Sequence, residues 1–388
     1  MKGIVNILVP AVTVFVTPAF PSFRGNGLAM RAAATLALLS RWGTRAHLLV
    51  VPMYAAAREP DPDIARLCKS WAVANDPDEI ASAVASRSPD LLVVFRFYLV
   101  PFLFRIAASS LSMWLDLDEL ESTSRARLAA IHAQAGHEAE AARLQGEVAT
   151  FTELEARHLP AFRRIFTASR AETASVLARC PDADVRTLPN TYPLVCPQPS
   201  RAPDGTARFL YVGTFGYYPN VDAMTYFCGD ILPRIRARAS MPVELAVIGS
   251  GLQPAPENPS MPGVHLIGPV PYTTPYYAAC DAAIVPLRAA GGTRIKILEA
   301  FSHERAVIAT SIGAEGLDVV PGVHLHVADD ADAFAARCLQ VMNDAGERQA
   351  MARRGHEFFV AHHSMAALES MLPDLFGEVR LKPASTYP

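Results

Sequence analysis

The residues best suited to chemistry lie in one short stretch, Ala290-Gly291-Gly292-Thr293-Arg294-Ile295-Lys296-Ile297-Leu298-Glu299-Ala300. It follows a β-rich run, Ala282 to Pro286, and opens a helix-prone segment. Gly291 and Gly292 let the backbone approach a ligand closely. Free N–H groups at a helix start attract phosphate. Arg294 and Lys296 add positive charge suited to a diphosphate. Glu299 follows five residues after Arg294, and a carboxylate there can accept two hydrogen bonds from a ribose diol. The bland alternative is a glycine turn followed by a surface ion pair. The combination of Gly, Arg, Lys and Glu at one helix start favours the ligand.

Other loops carry similar chemistry. One is Tyr211-Val212-Gly213-Thr214-Phe215-Gly216-Tyr217-Tyr218-Pro219-Asn220, at the first strand-like run of the second half, where Gly213 and Gly216 bracket a turn whose N–H groups can meet a phosphate or an incoming hydroxyl. The spacing is not G-x-G-x-x-G, so a nicotinamide dinucleotide is not supported. Gly268-Pro269-Val270-Pro271 has two prolines that fix a rigid edge where a base can lie, although a simple turn fits the spacing equally well. Nearer the start, Arg24-Gly25-Asn26-Gly27 precedes a helix-prone run and suits close approach by a ligand. Asp116, Asp118 and Glu119 end another strand-like run. Carboxylates there can orient an acceptor hydroxyl or act as a base; the alternative is that Asp116 or Asp118 caps the next helix.

Such loops need sheets to hold them. Strand-like runs are Ile4 to Val9, His47 to Pro52, Leu91 to Phe95, Leu111 to Leu115, Arg164 to Ala168 and Val185 to Leu188. Helix-like stretches include Leu28 to Ser40 and the long Ala/Glu/Arg-rich segment Ser122 to Leu159, broken by few residues besides Gly136 and Gly146. The texture changes at Pro189, Pro193, Pro197, Pro199 and Pro203, which read as a linker. A second alternating series follows. Its strands are Phe209 to Gly213, Glu244 to Gly249, Val264 to Ile267, Ala282 to Pro286, Ala306 to Thr310 and His324 to Val327. Its helices are Val221 to Ala239, Arg294 to Ser302 and Ala331 to Phe359. Alternation of this kind predicts an α/β fold of two Rossmann-like domains with parallel sheets, facing each other across a cleft. The expected boundaries are 1–190 for the acceptor-side domain, 191–205 for the linker, 206–365 for the nucleotide-binding domain, and 366–388 for a tail that packs back on the first domain.

Composition narrows the function classes. The chain has 388 residues, 51% hydrophobic and 19% charged, enough for two filled cores. A net charge of −3 argues against a nucleic-acid partner. Local basic clusters, such as Arg163 with Arg164 or Arg234, Arg236 and Arg238, read as solvated helix faces. Six cysteines form no C-x-x-C pair and have no histidine cluster at zinc-ligand spacing, so they read as reduced, mostly buried thiols in a cytoplasmic protein with no structural metal. Pro10 and Pro18 interrupt the apolar stretch Ile4 to Phe20, and Arg96, Pro101 and Arg105 interrupt Leu91 to Leu115, so neither reads as a membrane span. A signal peptide is a minor alternative for the first. In the second, the exposed part of Phe97 to Phe104 is a candidate for peripheral membrane contact.

The stretch Gly291 to Leu317, GGTRIKILEAFSHERAVIATSIGAEGL, resembles the nucleotide-sugar site of family 4 (group 1) glycosyltransferases of the GT-B fold. Phe209 to Ile235, with GTFGYYPNVDA, is similar to the start of their C-terminal domain. WLDLDELES at Trp114 to Ser122, the strand end Thr167 to Ser169 and the pair Pro189-Asn190 resemble one subgroup. The resemblance implies a metal-independent, retaining transfer of a sugar from a nucleoside diphosphate donor, with a UDP-sugar favoured over a GDP-sugar, to a hydroxyl acceptor such as a glycan, a lipid-linked sugar or a natural product. No cofactor is implied. Glu299 matches the family's ribose-binding glutamate. Arg294, Lys296 and the backbone of Gly213 to Gly216 would lie near the diphosphate, and Gly268 to Pro271 would frame the base. The sequence departs from the family in three places. Gly291 stands where the first of two glutamates separated by seven residues is usual, which leaves sugar contacts to the backbone of Gly291 to Thr293. The basic pair usual after the first C-terminal strand is absent from Thr214 to Asn220, which moves that role to Arg294 and Lys296. Asp116 to Asp118 stands where many members have a histidine. Two other readings share the architecture: a nucleotide-sugar 2-epimerase, and a catalytically inactive scaffold subunit of a glycosyltransferase. The oligomeric state is open.

Overall fold

The computed structural model describes residues 9–53, 59–103, 111–199, 204–252, 261–289, 291–292 and 294–377. They form two compact units. One gathers the described residues of Met1–Thr123, Gly146–Thr191 and Met365–Pro388; the other gathers those of Ser124–Gln145 and Tyr192–Ser364.

The first unit is built on seven parallel strands: β1 (Val12–Thr17), β2 (Arg45–Val50), β3 (Ser70–Val73), β4 (Leu91–Phe95), β5 (Ser112–Asp118), β6 (Arg164–Thr167) and β7 (Val185–Thr187). Their order is β3-β2-β1-β4-β5-β6-β7. The first strand begins after Pro10 and ends before Pro18, so the strand expected at Ile4 to Val9 is not the one found; residues 1–8 lie outside the described set. A strand buried on both faces reads as a continuous apolar run, and Leu91–Phe95 is buried at every position. The helix Gly27–Trp42 is sandwiched as well: twelve of its residues are buried. Its Ala/Leu composition suits a helix enclosed on all sides. Asn26 caps it, the side chain accepting from the Ala29 N–H at 2.9 Å, a contact worth about 1 kcal/mol. Trp42, Trp114, Phe166 and Phe376 pack ring against ring at 5.1–5.7 Å, which ties the segment Met365–Phe376 to this unit.

The second unit has six parallel strands: β8 (Ala207–Val212), β9 (Val243–Ile248), β10 (Val264–Gly268), β11 (Ala282–Val285), β12 (Ala306–Ala309) and β13 (His326–Val327). Their order, β10-β9-β8-β11-β12-β13, repeats that of the first six strands of the other sheet. In this arrangement the strand order reverses beside the first strand, between β1 and β4 in one sheet and between β8 and β11 in the other. Loops diverge there and leave a crevice at the carboxyl ends. The helix expected over Val221 to Ala239 is three pieces, Tyr218–Tyr226, a π-turn at Phe227–Ile231 and Leu232–Arg236. The long helix expected over Ala331 to Phe359 breaks at Asp344, whose side chain caps the second piece, Ala345–His362.

Among the described residues, no helix is long and apolar enough to cross a membrane. Phe97, Leu99, Val100 and Leu103 are in the core, which leaves Tyr98, Pro101 and Phe102 half-buried; Phe104 lies outside the described set. The cysteines are free, but only Cys180, Cys280 and Cys338 are buried; Cys196 is exposed.

Candidate functional site

In the second unit, the carboxyl ends of β8, β9 and β10 are tied side by side by their own backbones. Gly213 N–H donates to Ile248 O at 3.0 Å, Phe215 N–H to Ser250 O at 2.8 Å, and Gly249 N–H to Gly268 O at 3.0 Å. The contact is so close that a Cβ on Gly249, which has φ +153°, would sit 1.6 Å from Gly213 O. Among the described residues, the Thr214 and Gly216 N–H groups bond to nothing, so they stand ready for an acceptor.

Lys296 comes to this loop from the helix Ile295–Ser302. Its Nζ donates to Asn220 Oδ1 at 2.7 Å and to the Tyr211 hydroxyl at 2.9 Å, and lies 4.3 Å from the centre of the Tyr211 ring. Tyr211 also donates to Asn220 Oδ1 at 2.7 Å, and Asn220 donates to Thr214 O at 2.7 Å. One asparagine therefore fixes both the loop and the ammonium. Burial, with Arg294 adding repulsion, lowers the Lys296 pKa to about 7, against the pull of Glu299. A lysine so poised takes up a proton readily when an anion arrives.

Glu299 lies one turn further along and is 7% exposed. Its Oε1 accepts from Thr273 at 2.7 Å and from the Tyr192 hydroxyl at 2.9 Å. Burial raises its pKa, while Thr273, Tyr192 and Lys296 hold it down. Both bonds end on one oxygen, which orients the carboxylate and leaves Oε2 for a further donor. Arg294 is 5% exposed; it closes the glycine turn by donating to Gly291 O at 2.8 Å and meets Glu315 at 3.3 Å. The structure thus brings Gly213 to Gly216, Gly268, Gly291, Gly292, Arg294, Lys296 and Glu299 to one edge of the second sheet. Val270 packs half-buried against the core beside it. Thr293 lies outside the described residues.

Tyr211 and Asn220 bound the stretch the sequence offers around Gly213 to Gly216, but without a role of their own; Thr273, Tyr192 and the turn Ile248-Gly249-Ser250-Gly251 are not singled out from sequence. That turn follows a β-rich run and carries two glycines, the same signal as Gly213 to Gly216. Tyr192 gave no local signal, because it sits among the prolines of the linker.

At the carboxyl edge of the first sheet stands a second, quite different cluster. Asp116 is fully buried. Its Oδ1 meets Arg31 at 2.7 Å, and its Oδ2 accepts from Thr35 at 2.7 Å. Arg31 reaches on to Leu188 O at 3.0 Å and Asn190 Oδ1 at 2.9 Å. Asp118 pairs with Arg96 at 2.8 Å, and Arg96 also meets Glu119 at 3.2 Å and Glu121 at 3.0 Å. Burial raises the Glu119 pKa to about 7, helped by Asp118 and Glu121 and opposed by Arg96. Arg96 and Asp118 adopt positive φ, 76° and 64°. Left-handed backbone at residues other than glycine costs energy and gathers at functional sites. Of the expected pair of aspartates, Asp118 is partly open, with 14% of its side chain exposed, whereas both oxygens of Asp116 are engaged. Arg24, Gly25 and Asn26 form an exposed loop and Gly27 starts the helix, with Asn26 occupied as its cap. Among the described residues, no group of His, Cys, Asp and Glu has a geometry that would hold a metal ion.

The profile of the family described as glycosyl transferases group 1 matches residues 206–344. Solved structures resemble nearly the whole chain. Sucrose-phosphate synthase from Thermosynechococcus elongatus superposes with a TM-score of 0.70 at 14% identity, over 94% of this chain and 98% of that one. Anabaena HepE in complex with UDP and glucose gives 0.63 at 12% identity, over 95% and 99%. The lipopolysaccharide outer core galactosyltransferase WaaB gives 0.59 at 14% identity, over 94% and 99%. At these identities the likeness is one of fold, the GT-B-like pairing of two Rossmann-like sheets. A search of curated protein sequences finds no match.

Proposed function

We propose that the chain, a retaining group 1 glycosyltransferase of GT-B-like fold, takes its sugar from a UDP-sugar and passes it to a hydroxyl acceptor. The observation that carries this reading is the approach of Lys296 to the loop after β8. It supplies a cation beside the unbonded Thr214 and Gly216 N–H groups, where the loop itself has no Arg or Lys. The diphosphate lies against those N–H groups, Lys296 and Arg294. The ribose bonds to Glu299 Oε2, the base rests on Gly268 and Val270, and the sugar meets the backbone of Gly291 and Gly292. The complex of HepE with UDP and glucose supports uridine as the base.

Negative charge grows on the diphosphate as the anomeric bond breaks. Fixed cations and amides aimed at that charge stabilise it more in the transition state than in the ground state. On the acceptor side, Asp118 with the loop Arg24 to Gly27 orients the hydroxyl, and Asp116 holds Arg31 beneath Asp118.

A thermal-shift screen against UDP, GDP, dTDP, CDP and ADP tests the donor. UDP at about 100 times its dissociation constant stabilises by roughly 2.7 kcal/mol. A larger shift with GDP would replace uridine by guanosine, and no shift with any nucleotide would overturn the reading.

A further inference from the structure

Residues Ser124–Gln145 belong to the second unit although the chain on either side of them belongs to the first. Two separate lines of contact run from this helical arm to the same residue, Gly291. Along one, Arg127 donates to both oxygens of Glu315, at 2.7 and 2.8 Å. Glu315 meets Arg294 at 3.3 Å, and Arg294 donates to Gly291 O at 2.8 Å. Along the other, His132 stacks on Tyr218 at 4.0 Å between ring centres, and His137 meets the same ring edge-on at 5.2 Å. The neighbouring Tyr217 hydroxyl accepts from Gly291 N–H at 3.3 Å. The carbonyl and the amide of Gly291 are thus both tied to the arm.

We infer that residues 124–145 are a positioning arm for the sugar end of the donor, acting through Gly291. This rests on the donor reading above. Gly291 carries no side chain with which to grip the sugar, so the direction of its peptide groups has to be set from outside, and the arm sets it. Arg127 has a second effect. By sharing the charge of Glu315 it keeps that carboxylate from neutralising Arg294, which leaves the guanidinium more positive toward a diphosphate. Arg127 is a positioning residue: it acts on the donor through Glu315 and Arg294.

The test compares the whole chain with Arg127→Met, Arg127→Lys, His132→Ala and, as a control on the same arm, Gln134→Ala, whose side chain is exposed. Calorimetric titrations use UMP, UDP and UDP-glucose. The expected result is unchanged UMP affinity in all of them, with UDP-glucose weakened roughly tenfold by Arg127→Met, a coupling of the size seen between contacting residues. Arg127→Lys recovers part of the loss, and Gln134→Ala binds like the parent. Should Arg127→Met fail to fold, His132→Ala tests the same arm by the other line. A parent that binds UDP-glucose, with both variants binding it equally well, overturns the arm alone. Equal losses for UMP and UDP-glucose also overturn it, because they mean general distortion. A parent that binds none of these nucleotides overturns the donor reading as well.

Discussion

If Lys296 meets the diphosphate, donor binding takes up a proton. In the unliganded chain the lysine has a pKa of about 7. A unit negative charge at about 4 Å, with an effective dielectric constant near 20, contributes roughly 4 kcal/mol, or about 3 pK units. The bound lysine therefore titrates near its ordinary value, about 10. Between about pH 6.5 and pH 8.5 the charged fraction of the free protein falls from about three quarters to about 3%, while the complex stays charged. The apparent dissociation constant then rises about 25-fold, or about 1.9 kcal/mol. UDP-glucose is the right probe, since its diphosphate diester does not titrate in this range. Isothermal titration in buffers of different ionisation enthalpy reads the proton uptake directly, close to one proton at about pH 8. Lys296→Met should bind more weakly at the low end and lose the slope. Binding of the parent that does not vary with pH, or the same slope in Lys296→Met, refutes the placement of the diphosphate beside this ammonium. The sign for folding is also fixed. The unfolded lysine, with its ordinary value of 10.5, holds a proton that the folded one releases. The stability of the unliganded chain rises with pH from about 7 to about 10.5, and the penalty is complete below 7.

Three further outcomes follow from the geometry. Glu299→Ala removes the acceptor for Thr273, Tyr192 and the ribose; UDP affinity should fall by about 1.5–3 kcal/mol, the worth of hydrogen bonds to a charged group, and equal affinity by titration would rule out the ribose contact. Asp116→Asn leaves Arg31 buried beside an uncharged partner and should destabilise the first unit by about 3–5 kcal/mol, read as an earlier unfolding transition in denaturant; an unmoved transition would mean the pair is not structural. Gly249→Ala forces a methyl into Gly213 O and should cost about 3 kcal/mol or more; a variant of parental stability and UDP affinity would show that the two loops are not packed as described.

Much of this site is legible in the sequence because its chemistry is local. Gly291, Gly292, Arg294, Lys296 and Glu299 fall within nine residues, and a strand-to-helix turn puts such a run at a sheet's carboxyl edge whatever the rest of the fold does. Partners joined across the sheet leave no such trace. Lys296 and Tyr211 are 85 positions apart, and Tyr192 and Glu299 are 107 apart; only the strand order brings them together. The first strand shows a different limit. Ile4 to Phe20 is largely apolar on both sides of Pro10, so hydropathy alone does not place the strand within it, and pairing with β2 and β4 selects Val12–Thr17. The short edge strand β3 was missed because its alternating, half-exposed Ser70 to Val73 lacks the apolar run of a buried strand.

The two sheets share one strand order, yet their carboxyl edges are built for opposite charges. At the first, Asp116, Asp118, Glu119 and Glu121 face Arg31 and Arg96, and burial, helped by Asp118 and Glu121, raises Glu119 to about 7. A diphosphate brought there would meet repulsion and would have to displace buried ion pairs. At the second, the unbonded Thr214 and Gly216 N–H groups lie in a glycine-lined turn that Asn220 links to Lys296, and Arg127 offsets a carboxylate that leans on Arg294. An anion there gains hydrogen bonds and returns the lysine to its charged form. The proposed roles rest on this asymmetry: the second edge suits the diphosphate of the proposed donor, and a hydroxyl, which bears no charge and is a ready hydrogen-bond donor to Asp118, suits the first.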